Sequence, residues 1–289
     1  GALQWDAGTL LNKKKAKDRK IWTVGINDTS LNNFTTGNRD ELETSLFPNT
    51  KNLNDVTTDK LINFVRGIDS YDEDNDNSTS DERHKLQDIY NSDLIVVGAP
   101  DLPYQSTNTN TESYYRGLNN YQNFSSGNSC GGACTNRKEI VYAGSNAGLL
   151  HAFNANTGQE EWAFLPPSML GNLQNIISSR SNSSNSIFGV DGSPIVKDVY
   201  DVTDKKWKTV LVAGLGAGGH SYFAIDITNP DSPSHLFTIE NNPSDQIVHY
   251  WDKDGNKQSY GYQFGQPPID LDYSNLEVNF NVYKSTTGN

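Results

Sequence analysis

Three carboxylates at alternate positions, Asp72, Asp74 and Asp76 in the run Asp72-Glu73-Asp74-Asn75-Asp76-Asn77-Ser78, are the residues of this chain best spaced for chemistry. That spacing wraps a loop around a hard cation, offering oxygens at positions 1, 3 and 5 of the kind that bind Ca²⁺. Asn77 stands where the loop of an EF-hand needs glycine, and position 12 is Arg83 rather than glutamate, so Asp81 or Glu82 must reach back. The expected ligand set for Ca²⁺ is therefore Asp72, Asp74, Asp76, Ser78 and Glu82. Without a cation, carboxylates this close repel one another; the alternative reading is a solvated acidic loop.

Other candidate chemistry is weaker. Cys130 and Cys134 are the only cysteines, in Cys-Gly-Gly-Ala-Cys, and no further Cys or nearby His completes a zinc site. Either they close a small disulfide loop, which places the protein in an oxidising compartment, or they are a reduced pair in a loop. Gly214 to Gly219 satisfies the dinucleotide pattern G-x-G-x-x-G, but a strand and not a helix follows, so the glycines read as a turn. Asp252 to Asn256 reads foremost as a hairpin turn. The five histidines are scattered, and His151, inside an apolar strand, reads as a packed residue. No catalytic residue is expected.

The elements that must position these groups are strands. Val141 to Phe164 reads strand, glycine turn, strand, Asn-Thr-Gly turn, strand, with Trp162 in the last. The same grammar recurs at Asp191 to Val199, Lys208 to Ala213, Tyr222 to Ile227 and His235 to Ile239. Gly144 and Gly148 match Gly214 and Gly218 at an offset of 70, and a third round starts at Gly265-Gln266-Pro267. Up-and-down units of this kind cannot bury their own faces, which implies a β-propeller-like domain of four-stranded antiparallel blades. Helices are expected over Arg39 to Phe47, stopped by Pro48, and Thr58 to Gly67, with Leu61, Ile62 and Val65 on one face. Residues 101 to 137, rich in Asn, Ser, Thr, Tyr and Gly, read as a long surface insertion, and residues 1 to 289 as one β-propeller domain, incomplete unless degenerate blades close the ring.

The 289 residues carry a net charge of -12 with a mean hydropathy of -0.67, which argues against unassisted binding to nucleic acid or an anionic membrane. The basic run from Lys13 to Lys20 reads as a solvated turn or edge. No run approaches a membrane span, and the start at Gly1 is expected to mark an excised domain whose export signal lies elsewhere.

Several unlike segments, in order, resemble one family. VYAGSNAGLLHAFNANTG, EEWAFLPPSMLGNL, FGVDGSPIVKDVY, KTVLVAGLGAGGHSYFAIDIT and GYQFGQP are similar to the C-terminal β-propeller of the PilC/PilY proteins of bacterial type IV pili, as are LQWDAGTLL, YDEDNDN and DERHKLQDIYNSDLIVVGAP upstream. The resemblance implies an exported, non-enzymatic protein of the cell surface, outer membrane or pilus tip. Its partners would be pilins, minor pilins and other assembly components, and host or abiotic surfaces. It implies a role in pilus assembly, twitching motility and adhesion, regulated in some members by calcium. After Gly265-Gln266-Pro267 the sequence departs from the family's glycine-rich blades and their calcium loop. The strand, Thr-Gly and Trp pattern also resembles pyrroloquinoline quinone dehydrogenase repeats, so a quinone-dependent enzyme and a plain scaffold propeller are the alternatives.

Overall fold

The computed structural model describes residues 4–50, 55–128, 134–178 and 184–262. Its two sheets follow the two strand-rich stretches of the sequence. Strands β3 (Ile140–Gly144), β4 (Leu150–Asn154) and β5 (Glu160–Phe164) form the antiparallel centre of the first. Gly148 (φ 82°) and Gly158 (φ 71°) sit in the two connecting turns, in the left-handed region that glycine enters at little cost. Asn154 Oδ1 accepts from the N–H groups of Asn156 and Thr157, holding the second turn.

Alternation sorts the side chains of this sheet. Ile140, Tyr142, Leu150, Ala152 and Trp162 enter the main core, whereas Val141 and Phe153 face Leu11 on the other side. Strand β3 is buried along its whole length, because helices cover what solvent would otherwise reach. Helix α1 (Ala7–Lys13), capped by Asp6 through the N–H of Thr9, supplies Leu11; α2 (Arg39–Leu46) and α3 (Asp55–Arg66) close the opposite side with Leu42, Leu46, Leu61 and Ile62. Both α2 and α3 lie where the sequence expects helices.

The second sheet runs β11-β10-β9-β8-β7-β6 without interruption. Its strands are β6 (Ile195–Asp201), β7 (Lys206–Gly214), β8 (Ser221–Asp226), β9 (Ser234–Asn242), β10 (Ile247–Trp251) and β11 (Lys257–Gly261). Leu211, Ala213, Phe223, Ile225 and Ile227 join the same core as the first sheet.

Two expectations about blade size need correction. The first sheet has five strands, ordered β1 (Ile21–Trp22), β5, β4, β3 and β2 (Ile95–Val97), and the second has six, rather than four in each. A four-stranded antiparallel unit is present in both, β2 to β5 and β6 to β9, but each is extended. Strand β1 (Ile21–Trp22) adds to β5 in parallel, and the β10–β11 hairpin continues the second sheet. The exposed edge of a sheet accepts any segment that packing brings alongside, which strand spacing in the sequence does not reveal. The sheets do not close into a ring among the described residues. The third round at Gly265 and the tail lie outside the described residues.

The stretch from 188 to 194 threads between the two matched turns. Val190 N–H donates to Ser145 O, and Gly192 N–H donates to Gly214 O. A Cβ on Gly144 would collide with Val190 O, and one on Gly218 with Gly189 O. The repeated glycines therefore admit a close backbone approach as well as a turn.

Residues 101 to 137, read as a surface insertion, hold helices α4 (Glu112–Leu118) and α5 (Tyr121–Ser125), which share a small separate core with Tyr200 and Trp207 of the second sheet. Tyr121 stacks edge-on against Trp207 at 4.9 Å between centroids, and its hydroxyl donates to Asp198 on β6.

Candidate functional site

Helix α3 leads directly into the acidic loop. Gly67 (φ 116°) ends the helix, and a Cβ there would stand 2.6 Å from the Lys85 side chain, so glycine is required on two counts. The loop's two legs then pair: Asp69 N–H donates to Asp81 O at 2.9 Å, Arg83 N–H to Gly67 O at 2.9 Å, and Ile68 bridges Glu82. Between the legs, Asp72, Asn75 and Asn77 adopt positive φ, a region open to Asp and Asn because their short side chains hydrogen-bond locally. Asp72 Oδ1 accepts from Asn77 N–H at 3.1 Å and Asp76 Oδ1 from Ser78 N–H at 2.7 Å. The chain thus coils around its own carboxylates.

Two groups of three carboxylates result, each with ligand oxygens within 4.8 Å of one another: Asp72, Asp74 and Asp76, and Asp69, Asp74 and Asp81. The first holds three residues of the expected ligand set. Ser78 lies beside it, tied through its N–H to Asp76. Glu82 belongs to neither group. Its carboxylate is taken by Lys85 Nζ at 2.7 Å and Ala16 N–H at 3.2 Å; against the opposing effect of burial, these contacts lower its pKa. Asp81 turns inward in its place. Asp69 arrives from the helix end, outside the alternating spacing, and only its position two residues after a helix-ending glycine hints at it in the sequence. Partial desolvation and the charges of Asp76, Asp81 and Asp69 push the Asp74 carboxyl up, opposed by the N–H of Asp76.

A second polar constellation lies inside the first sheet. His151 Nδ1 is 2.8 Å from Glu160 Oε1, and His151 Nε2 is 3.0 Å from Ser145 Oγ. Arg19 grips the same carboxylate with two 2.9 Å hydrogen bonds, and a third N–H group donates to Arg66 O. Arg66 answers by donating to Ala16 O, Arg19 O and Phe34 O, tying the end of α3 to the chain's first segment. Arg19 therefore departs from the expected solvated basic run: it is fully buried. Ser145, His151 and Glu160 stand in the hydrogen-bonding order of a nucleophile, base and orienting carboxylate. Ser145 is 1% exposed and His151 0%, so a substrate has no path to either; burial also holds the imidazole below its ordinary pKa, the neutral form. This is a structural network.

The glycine run at Gly214 to Gly219 connects β7 to β8 through a short 3₁₀ turn, so no helix N-terminus faces it. Asp252 Oδ1 accepts from the N–H groups of Asp254 and Asn256, making the Asp252 to Asn256 stretch a side-chain-held hairpin turn. Cys130 lies outside the described residues; Cys134 is fully buried against the Tyr121 cluster.

Residues 86–275 match the family described as the PilY1 beta-propeller domain. The chain belongs to that family. The chain is 29% identical over 273 residues to the type IV pilus biogenesis factor PilY1 of Pseudomonas aeruginosa, covering 92% of this chain and 21% of that protein. It is 33% identical over 171 residues to a PilY1 homolog of Xylella fastidiosa, covering 59% of this chain and 13% of that protein. The chain thus spans about a fifth or less of these relatives' length. The crystal structure of the Pseudomonas aeruginosa PilY1 C-terminal domain aligns over 60% of this chain and 38% of that one, with 23% identity and a TM-score of 0.37. Both sheets lie mostly within the residues matched to the PilY1 propeller family, whereas the acidic loop precedes them.

Proposed function

We propose that this chain is a non-enzymatic domain of an exported, surface-associated protein that supports type IV pilus assembly, twitching motility and surface adhesion. The observation that carries the reading is the match of residues 86–275 to the PilY1 propeller family, joined to relatives named as pilus biogenesis factors. Its partners are pilins or minor pilins, engaged through the loops that the sheets hold out. The burial of Ser145 and His151 supports a domain that binds rather than catalyses, because this triad-like arrangement among the described residues is closed to substrate. No helix among the described residues is long and apolar enough to cross a membrane, which fits attachment through other parts of a pilus protein.

Removing the segment from the source bacterium tests the role. The expected result is loss of surface pili and twitching, restored by the intact gene; unchanged piliation and motility would overturn the reading. Quinone absorbance and dye-linked alcohol oxidation in reconstituted protein would revive a dehydrogenase. Export also implies a closed Cys130–Cys134 loop. Thiol labelling of unreduced protein from the cell surface should modify neither cysteine.

A further inference from the structure

A cleft of about 530 Å³ lies between the segment that follows β1 and two turns of the second sheet, the one entering β9 and the one joining β10 to β11. Its two sides touch at a pair of glycines: Gly25 N–H donates to Asp254 O at 3.3 Å, and a Cβ on Gly255 would collide with Gly25 N. Three buried side chains belong to its lining, Trp22 (4% exposed), Thr23 (2%) and His235 (3%). The Trp22 and His235 rings both pack on Phe164, at 4.3 and 5.9 Å between centroids, and so form one floor.

We infer that this cleft binds a neutral pyranose sugar, free or at the end of a glycan, with the sugar's polar edge on Trp22 and Thr23. Trp22 Nε1, Thr23 Oγ1 and His235 Nδ1 are all buried with no hydrogen-bond partner. Polar atoms left in that state are costly, and three of them line the same cleft. Asn33 takes the backbone N–H and C=O of Thr23, so the hydroxyl is what remains to be met. An indole N–H only donates, whereas a threonine hydroxyl donates or accepts; the occupant must bring an acceptor and a group that can do both. A sugar hydroxyl is such a group.

Charge excludes the other small polar ligands. Asp28, Glu41 and Asp254 stand in the lining, and its one ammonium, on Lys253, pairs with Asp254 at 2.8 Å, so an anion is repelled. A cation has no acceptor to offer the indole N–H. Asp28 and Glu41 moreover already accept N–H groups, from Ser30 and Asn38 and from Asn27. The carboxylates keep further lone pairs for sugar hydroxyls. Val24, Ile26 and Leu31, half-buried in the same lining, suit the C–H face of a sugar ring, and the volume is in the range of small-ligand sites. The inference concerns ligand binding alone and stands apart from the pilus role.

Saturation-transfer difference NMR on the 289-residue chain tests it, with glucose, galactose, mannose and N-acetylglucosamine as neutral probes, N-acetylneuraminic acid as the anionic one and glucosamine as the cationic one. At least one neutral sugar should bind saturably; binding of its methyl glycoside assigns the site to glycan ends, and failure of the glycoside assigns it to free sugar. Thr23→Val and Trp22→Phe should each weaken binding about fivefold or more, the loss of one hydrogen bond. Thr29→Arg, an exposed change in the lining, should block the cleft without altering its floor. Near-ultraviolet circular dichroism checks that each variant is folded; if Trp22→Phe is not, Thr23→Val and Thr29→Arg decide. Three results would overturn the inference: no saturation transfer to any neutral sugar, which leaves water as the occupant, unchanged affinity in Thr23→Val and Thr29→Arg, or tighter binding of a charged sugar than of every neutral one.

Discussion

Arg19 and Glu160, 141 residues apart in the chain, meet through two parallel 2.9 Å hydrogen bonds in a site sealed from solvent. The pair joins the segment before β1 to the first residue of β5, the two strands that run parallel at the sheet's edge. A buried pair of this kind is sensitive to loss of one partner, because the remaining charge has no water to solvate it. Glu160→Gln keeps the shape and strands the Arg19 guanidinium. Equilibrium denaturation should show a loss of about 3 kcal/mol or more. A loss within experimental error would mean that the network carries no net stability.

Stability should also fall with acid in a defined window. Burial holds the His151 imidazole below its ordinary value and pushes that of His235 down to about 4. The unfolded chain takes up these protons near pH 6.5 while the folded chain does not. Their contribution is therefore complete above about pH 6.5 and is lost as pH falls towards about 4. Glu160, held below the carboxylate range by Arg19 and His151 against the cost of its burial, adds a loss below about 4.5. Denaturation midpoints that stay flat from pH 7 to pH 5 would contradict the assignment of neutral buried histidines.

Trp162 should be hard to replace. Its indole is 1% exposed, packs against Trp22 and Tyr142, and donates to Pro230 O at 2.8 Å in the β8–β9 connection. It thereby joins the first sheet to the second. Trp162→Ala should cost about 3–5 kcal/mol, whereas Trp162→Phe, which keeps most of the apolar contact but loses the hydrogen bond, should cost distinctly less. Thermal unfolding of the two variants side by side checks the order.

The insertion should come loose without unfolding the sheets. Its attachment runs through Tyr121, packed on Trp207 and bonded to Asp198, and through the Trp207 indole, which donates to Asn119 O at 2.8 Å. In Trp207→Ala, hydrogen exchange should quicken over residues 112–125 while β3, β4 and β8 keep their protection. Equal loss of protection everywhere would show that the insertion is part of the main cooperative unit.

Much of the architecture was legible because it rests on local physics. Turn glycines, the strands flanking Gly144–Gly148 and Gly214–Gly219, the faces of α2 and α3, and the convergence of Asp72, Asp74 and Asp76 all follow from backbone preference and short-range spacing. Each involves residues within a turn or two of one another, so the sequence determines them before the chain folds. Long-range meetings were decided otherwise. Arg19 entering the core to meet Glu160, β1 adding to β5, Glu82 turning to Lys85 while Asp81 turns inward, and Asp69 reaching the acidic loop from a helix end depend on segments brought together by packing. A charged side chain's partner is fixed by what lies beside it in space, and spacing along the chain carries that information only for its nearest neighbours.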